Sequence, residues 1–267
     1  MPAVQIARLK NEVAGLGLLF SHPIEFKRRL DHVLDFYTDR VYRAGQSVPP
    51  PLLIPIYHIH PLVMQQIELE LQRKCQEDET AALALADLLW TDHHFETRQL
   101  AVFLLGQISL DLPQPIFQRF QEWARPEEPA EILEMLFNRG SARLRKEQSG
   151  MWLETIQKWL DSSSTALQNM GLQALLAVVN DRQFNNLPPA YRMISKFLHS
   201  PHTALVRSLQ DLLEALARRS PTETVYFLRQ ILGSPTPMTT VRMIRKILPL
   251  LPVEAQANLR QMLISRS

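Results

Sequence analysis

Apolar residues recur at intervals of three and four along most of this chain, the spacing that puts them on one face of an α-helix. In residues 23–43, Phe26, Leu30, Val33, Leu34, Phe36, Tyr37 and Val41 fall largely on one face, with Lys27, Arg28, Asp31 and Arg40 elsewhere. Residues 4–20 carry the same helical spacing, and the two segments predict an N-terminal helical hairpin over residues 1–44. The stretch Gly45-Gln46-Ser47-Val48-Pro49-Pro50-Pro51 forbids a continuing helix. A proline-rich linker is therefore expected over residues 45–60.

From Pro61 to residue 267 the pattern repeats: a helix ending in a large apolar residue, a short polar turn, then a longer second helix. Leu89-Trp90, Trp123, Trp159-Leu160, Phe197-Leu198 and Ile231-Leu232 mark the first helices at intervals of 33 to 38 residues, a period belonging to two-helix repeats. Shifting residues 166–178 by 38 lays Ala174, Leu175 and Val178 over Leu212, Leu213 and Leu216. A further shift of 35 lays Val206-Arg207, Leu209, Leu212 and Leu213 over Val241-Arg242, Ile244, Ile247 and Leu248. Ser220-Pro221-Thr222-Glu223 reads as a capping box, Ser200-Pro201 as a simpler cap and Gly233-Ser234-Pro235 as an inter-helix turn. No alternating apolar and polar run is bounded by hairpin turns. The expected fold is all-α, an α-solenoid of HEAT-like helix pairs (an α-α superhelix), with about five pairs after Pro61.

Composition agrees: 8 glycines and 19 prolines suit helices punctuated by proline better than hairpins turned by glycine. The single cysteine, Cys75, has no partner for a disulfide, and the first residues lack a secretory pattern. No run approaches the ~20 apolar residues of a membrane span, so a cytoplasmic protein with no membrane association is expected. The GxSxG, glycine-rich phosphate-loop, HExxH and paired CxxC patterns are all missing. His58-Ile59-His60 and Asp92-His93-His94 lack ligand partners at a diagnostic spacing. No metal site and no cofactor is expected.

Charge is distributed unevenly. Residues 1–133 hold 12 Lys+Arg against 18 Asp+Glu, and residues 134–267 hold 17 against 9. Because second helices line the inner wall of a solenoid, Arg207, Arg242, Arg245 and Lys246 are candidates for a groove that tracks phosphates. Their alternative role is that of solvated surface charges bridging adjacent repeats. A further cluster, Arg139, Arg143, Arg145 and Lys146, falls at a helix end, where cations also favour exposed carbonyls. Trp90, Trp123 and Trp159 follow the repeat and are expected in the core.

The segment Leu88-Leu89-Trp90-Thr91-Asp92-His93-His94-Phe95-Glu96-Thr97-Arg98-Gln99-Leu100-Ala101 resembles the HEAT-like-repeat DNA alkylation repair family, a group of alkylpurine DNA glycosylases. Ile156-Gln157-Lys158-Trp159-Leu160-Asp161-Ser162, followed by Leu167-Gln168-Asn169, is similar to the same family in the same order. The likeness covers residues 79 to 250. It implies duplex DNA on the concave surface, and a tryptophan pair, an aspartate and an arginine around the modified nucleotide. Here Glu131 stands in the aspartate's place, as the candidate catalytic carboxylate, and Asn169 in the arginine's, as a nucleic-acid-binding residue. The expected function is a relative of the DNA alkylation repair proteins that binds duplex DNA or another large partner, with the usual glycosylase residues not retained. The alternatives are a protein-protein interaction scaffold and an active alkylpurine glycosylase.

Overall fold

The computed structural model describes residues 5–38, 54–109, 111 and 113–264. The triple-proline break lies outside them, and the helix predicted over 23–43 ends early, at Tyr37, because Thr38 turns to an extended ψ of 129°. Every regular element among the described residues is helical, and the only strand-like feature is an isolated backbone bridge between Thr38 and Ile59. The chain is an all-α, HEAT-like repeat protein. It divides into two compact units, Met1–Arg143 and Leu144–Ser267.

The first unit contains α1 (Ile6–Gly17), α2 (Pro23–Tyr37), α3 (Pro61–Glu77), α4 (Glu79–Trp90), α5 (Phe95–Gln107), α6 (Gln114–Trp123) and α7 (Ala130–Met135). One π-helical turn, Leu136–Gly140, extends α7. In one layer α1 packs on α3, α3 on α5, and α5 on α7 and its π turn; in the other α2 packs on α4. Leu30 and Leu34 of α2, Leu85 and Leu89 of α4, Leu100 and Leu104 of α5 and Phe120 of α6 have no exposed surface. At about 1.5–3 kcal/mol for each large apolar side chain fully buried, these stripes hold the layers together.

The apolar period does not mark the break between α3 and α4. Asp78 supplies it: its backbone is extended, with φ −149° and ψ 93°, its N–H donates to the Lys74 carbonyl, and its carboxylate accepts the Ala81 N–H at 2.9 Å. One residue thus ends one helix and caps the next. Residues 54–60 are strapped onto the α4–α5 turn. Buried Glu96 accepts the backbone N–H groups of Tyr57 at 3.0 Å and Ile59 at 3.4 Å, the Phe95 N–H donates to the Pro55 carbonyl at 2.9 Å, and the Tyr57 ring stacks on His94. Between the two residues held by Glu96, His58 has φ 57°, a left-handed conformation that costs a non-glycine residue about 1 kcal/mol or more.

α8 (Ala142–Glu147) contains the division between the units. The second unit continues with α9 (Ser149–Leu160), α10 (Thr165–Asn180), α11 (Pro188–His199), α12 (Val206–Arg219), α13 (Pro221–Leu232), α14 (Met238–Ile247) and α15 (Val253–Ile264). First helices pack in the order α9, α11, α13, α15 and second helices in the order α10, α12, α14. The positions aligned by the repeat shift, Leu175 and Val178, Leu209, Leu212 and Leu213, and Val241, Ile244 and Ile247, are all fully buried. Two predicted caps are corrected. Ser220 precedes α13, but its side chain makes no cap bond; its carbonyl instead accepts from the Thr224 hydroxyl at 2.8 Å. Ser200 ends α11, and His202 opens the next helical turn by accepting the Ala204 N–H through Nδ1. Among the described residues no helix is long and apolar enough to cross a membrane.

A Cβ placed on Gly106 of α5 would lie 2.7 Å from the Arg139 carbonyl oxygen in the π turn, a backbone atom that cannot swing aside. Overpacking of this kind costs about 1–3 kcal/mol, more than the 0.5–1 kcal/mol that alanine gains over glycine inside a helix. Gly106→Ala is therefore expected to lower the urea midpoint; an unchanged or higher midpoint would show that the π turn yields.

Candidate functional site

The second helices of the second unit present a face of unusual charge. α10 contains no ionisable side chain, and α14 contains no acidic one. On α14 the inward turn of Val241, Ile244 and Ile247 leaves Arg242, Arg245 and Lys246 exposed. On α12, Leu209, Leu212 and Leu213 face the core while Arg207 is exposed in the first turn, where the positive end of the helix adds to its attraction for anions. Arg207, Arg242 and Lys246 form no hydrogen bond or ion pair among the described residues. Of the acidic residues of α12, Asp211 is exposed one turn beyond Arg207, and Glu214 accepts from Gln210 and Arg218 of its own helix. The same face joins α10 to α12 through Ser208, whose hydroxyl donates to Asn169 Oδ1 at 2.6 Å. The second unit thus brings Asn169 beside Ser208, the neighbour of Arg207, and carries the three α14 cations on the next second helix.

Glu131 belongs to the first unit. It is exposed in the first turn of the short α7 and has no hydrogen-bond or ion-pair partner among the described residues. Its negative charge suits a helix N-terminus, which accounts for it structurally.

Most of the 139–146 cluster is committed to structure. Arg139 forms a two-pronged ion pair with Glu68, at 2.9 Å for both bonds, and Arg143 donates to the Gln107 carbonyl. Arg145, buried in the second unit, donates to Asp181 at 2.8 Å. Burial works against the charged form of Asp181, but the hydrogen bonds from Arg145 and the Gln183 N–H, with the nearby charges of Arg145 and Arg219, outweigh it and hold the carboxyl below its ordinary range.

A cleft of about 660 Å³ lies in the first unit between the α4–α5 turn and α6. In its wall Trp90 and Trp123 stack with ring centres 4.4 Å apart and planes within 4°, and the Arg98 guanidinium covers Trp90 at 4.0 Å. Arg98 pairs with Glu128 at 2.7 Å, and Arg119 grips Asp87 through two nitrogens. Of the three tryptophans that the repeat spacing predicts in the core, Trp123 is buried, while Trp90, which lines the cleft, and Trp159 are half-buried. Asp92 is equally occupied. Burial raises its carboxyl, but hydrogen bonds from Lys27 and from the amide and ring of His94 prevail and lower it. His60 accepts the Leu62 N–H as the cap of α3. Cys75 is buried, and desolvation pushes its thiol up to about 11, far from reactive thiolate.

A family model described as DNA alkylation repair enzyme matches residues 61–246. No curated protein matches the sequence. Among solved structures, the X-ray structure of YibA from Escherichia coli shares 15% sequence identity, with 89% of this chain and 93% of that chain covered and a TM-score of 0.34.

The Arg145–Asp181 pair gives a test of the second unit's stability. The folded Asp181 carboxyl titrates below its unfolded value, so its contribution is present above the ordinary aspartate value of about 4 and is lost as pH falls through the folded value. Asp181→Asn leaves Arg145 buried beside a weaker partner. It should cost about 2 kcal/mol at pH 7, less than for a fully buried pair because Asp181 keeps some contact with water. Denaturant melts should show that difference shrinking below pH 4; a pH-independent difference would assign it to packing.

Proposed function

The chain belongs to the DNA alkylation repair enzyme family, and from that membership we propose that its second unit binds duplex DNA through the sugar-phosphate backbone, without releasing alkylated bases. One observation carries the reading: exposed cations on consecutive second helices, Arg207 on α12 and Arg242, Arg245 and Lys246 on α14, on a face where α10 and α14 contribute no carboxylate. A regular polyanion is the partner that such a row fits. Each phosphate neutralised releases condensed counterions, so the binding free energy is largely the entropy of those ions and depends little on base sequence.

Base release needs more than a grip on phosphate. A departing cationic purine leaves oxocarbenium character on the sugar, which a carboxylate held close and shielded from water stabilises best. Glu131 is exposed, with no hydrogen-bond or ion-pair partner among the described residues. Asn169 offers hydrogen-bond donors but no charge. Both features support a protein that holds DNA without cleaving the glycosidic bond.

Affinity for a short undamaged duplex should fall steeply with salt. Replacing Arg207, Arg242 and Arg245 together with alanine should flatten the slope of log K against log salt by about 2–3. Undetectable duplex binding by the wild-type chain at low salt would end the proposal. Duplex containing a cationic alkylpurine should remain intact after stoichiometric incubation; release of free base that Glu131→Gln abolishes would restore the enzyme reading.

A further inference from the structure

We infer that Asn169 is an uncharged phosphate donor on the second-helix face and that Ser208 is the residue that positions it. The inference rests on the duplex-binding reading above and specifies how part of that face works.

The geometry begins with the bond between α10 and α12. Ser208 Oγ and Asn169 Oδ1 are 2.6 Å apart, a separation typical of O–H···O and shorter than the ~2.9 Å usual for N–H···O. The hydroxyl therefore donates to the amide oxygen, and the oxygen is the end of the amide held against α12. The NH₂ end is turned away, with no hydrogen-bond partner among the described residues, on a half-exposed side chain. Without Ser208 the amide could turn over at little cost, because its two ends are nearly the same size. With it, both N–H donors stay on the open side.

What they face follows from the neighbours. Arg207 directly precedes Ser208 in the first turn of α12, exposed and unpaired among the described residues. An oxyanion drawn to Arg207 and to the N-terminus of α12 comes within reach of the Asn169 amide on the adjacent helix. α10 carries no charge of its own, so a strand crossing it is held there by neutral donors. Gln173, one turn beyond Asn169, continues the uncharged strip. A neutral donor binds phosphate by hydrogen bonding without neutralising it, so it adds affinity without adding to counterion release. That separates Asn169 from Arg207 experimentally.

The test is a duplex titration of the full chain over a range of salt concentrations, with folding of each variant checked by circular dichroism. Asn169→Ala should weaken binding about fivefold at every salt concentration, the value of a typical hydrogen bond, and leave the slope unchanged. Arg207→Ala should weaken binding and reduce the slope by about 1. Ser208→Ala should reproduce a smaller part of the Asn169→Ala loss, again at constant slope, and Ser208→Thr, which keeps the hydroxyl, should restore wild-type affinity. In Asn169→Asp the Ser208 hydroxyl still has an acceptor, so the fold is retained while the donors are replaced by a repelling charge; the loss should exceed that of alanine. Inorganic phosphate at matched ionic strength should not displace the duplex, and full displacement would assign the site to a single anion instead of a strand. Wild-type affinity in Asn169→Ala would overturn the donor role alone. A loss in Ser208→Thr equal to that in Ser208→Ala would overturn the positioning role. Absence of wild-type binding at low salt would overturn the duplex reading itself, and this inference with it.

Discussion

Each helix pair of this protein has an apolar face that only the next pair can cover. The stripes of α10, α12 and α14, from Leu175 and Val178 through Leu212 and Leu213 to Ile244 and Ile247, are buried without remainder, and in helices of this length most stability comes from such packing. Lateral burial between repeats is the interaction on which everything else depends. It dictates the three- and four-residue spacing, and it confines most charged side chains to the turns, to the rim or to the outward strip of a helix.

That confinement gives polar contacts a period of their own. Asp87 with Arg119, Asp161 with Lys196, Arg145 with Asp181, and Arg219 with the Phe184 carbonyl each join positions about one repeat apart. Side chains of the same register in successive repeats are neighbours in space, so an acid in one repeat and a base in the next meet without any loop to guide them. In the C-terminal half this ladder engages Arg145, Lys196 and Arg219. Arg207, Arg242 and Lys246 stand exposed on the second helices with no ion-pair partner among the described residues, although α12 also carries the exposed Asp211 one turn beyond Arg207, and so they keep their charge for a partner. The candidate surface is what the ladder leaves over.

Buried polar groups in the first unit follow the same economy. Glu96 lies under the 54–60 strap because two backbone N–H groups need an acceptor there, and an unsatisfied buried N–H costs about 1–3 kcal/mol. Arg98 lies flat against the Trp90–Trp123 stack because Glu128 balances its charge. In sequence these two residues are part of the segment that resembles the family; in the structure they hold a turn and a tryptophan pair in place. In the cleft beside them Arg98 is paired with Glu128 and Arg119 with Asp87.

The apolar period, the proline positions and the scarcity of glycine determined the helix-pair repeat by themselves, because burying a stripe requires the same spacing in whatever helix carries it. The burial of Trp123 was legible for the same reason, and the partial exposure of Trp90 and Trp159 was not. Caps were less so: Ser220 has the right neighbours for a capping box, but its hydroxyl is not used, and a histidine, His202, caps where Ser200 was expected. A cap is one weak hydrogen bond, and packing sets the backbone angles that permit it. The break at Asp78 was hidden because apolar residues continue at helical spacing through it. Which arginines are spent and which are free could not be read from the chain, since Arg145 and Arg207 look alike until a residue 36 positions away in one case reaches across to the guanidinium. Sequence set the list of charges; only the stacking of one repeat on the next, by bringing distant residues within hydrogen-bond reach, decided which were neutralised and which remained to meet a ligand.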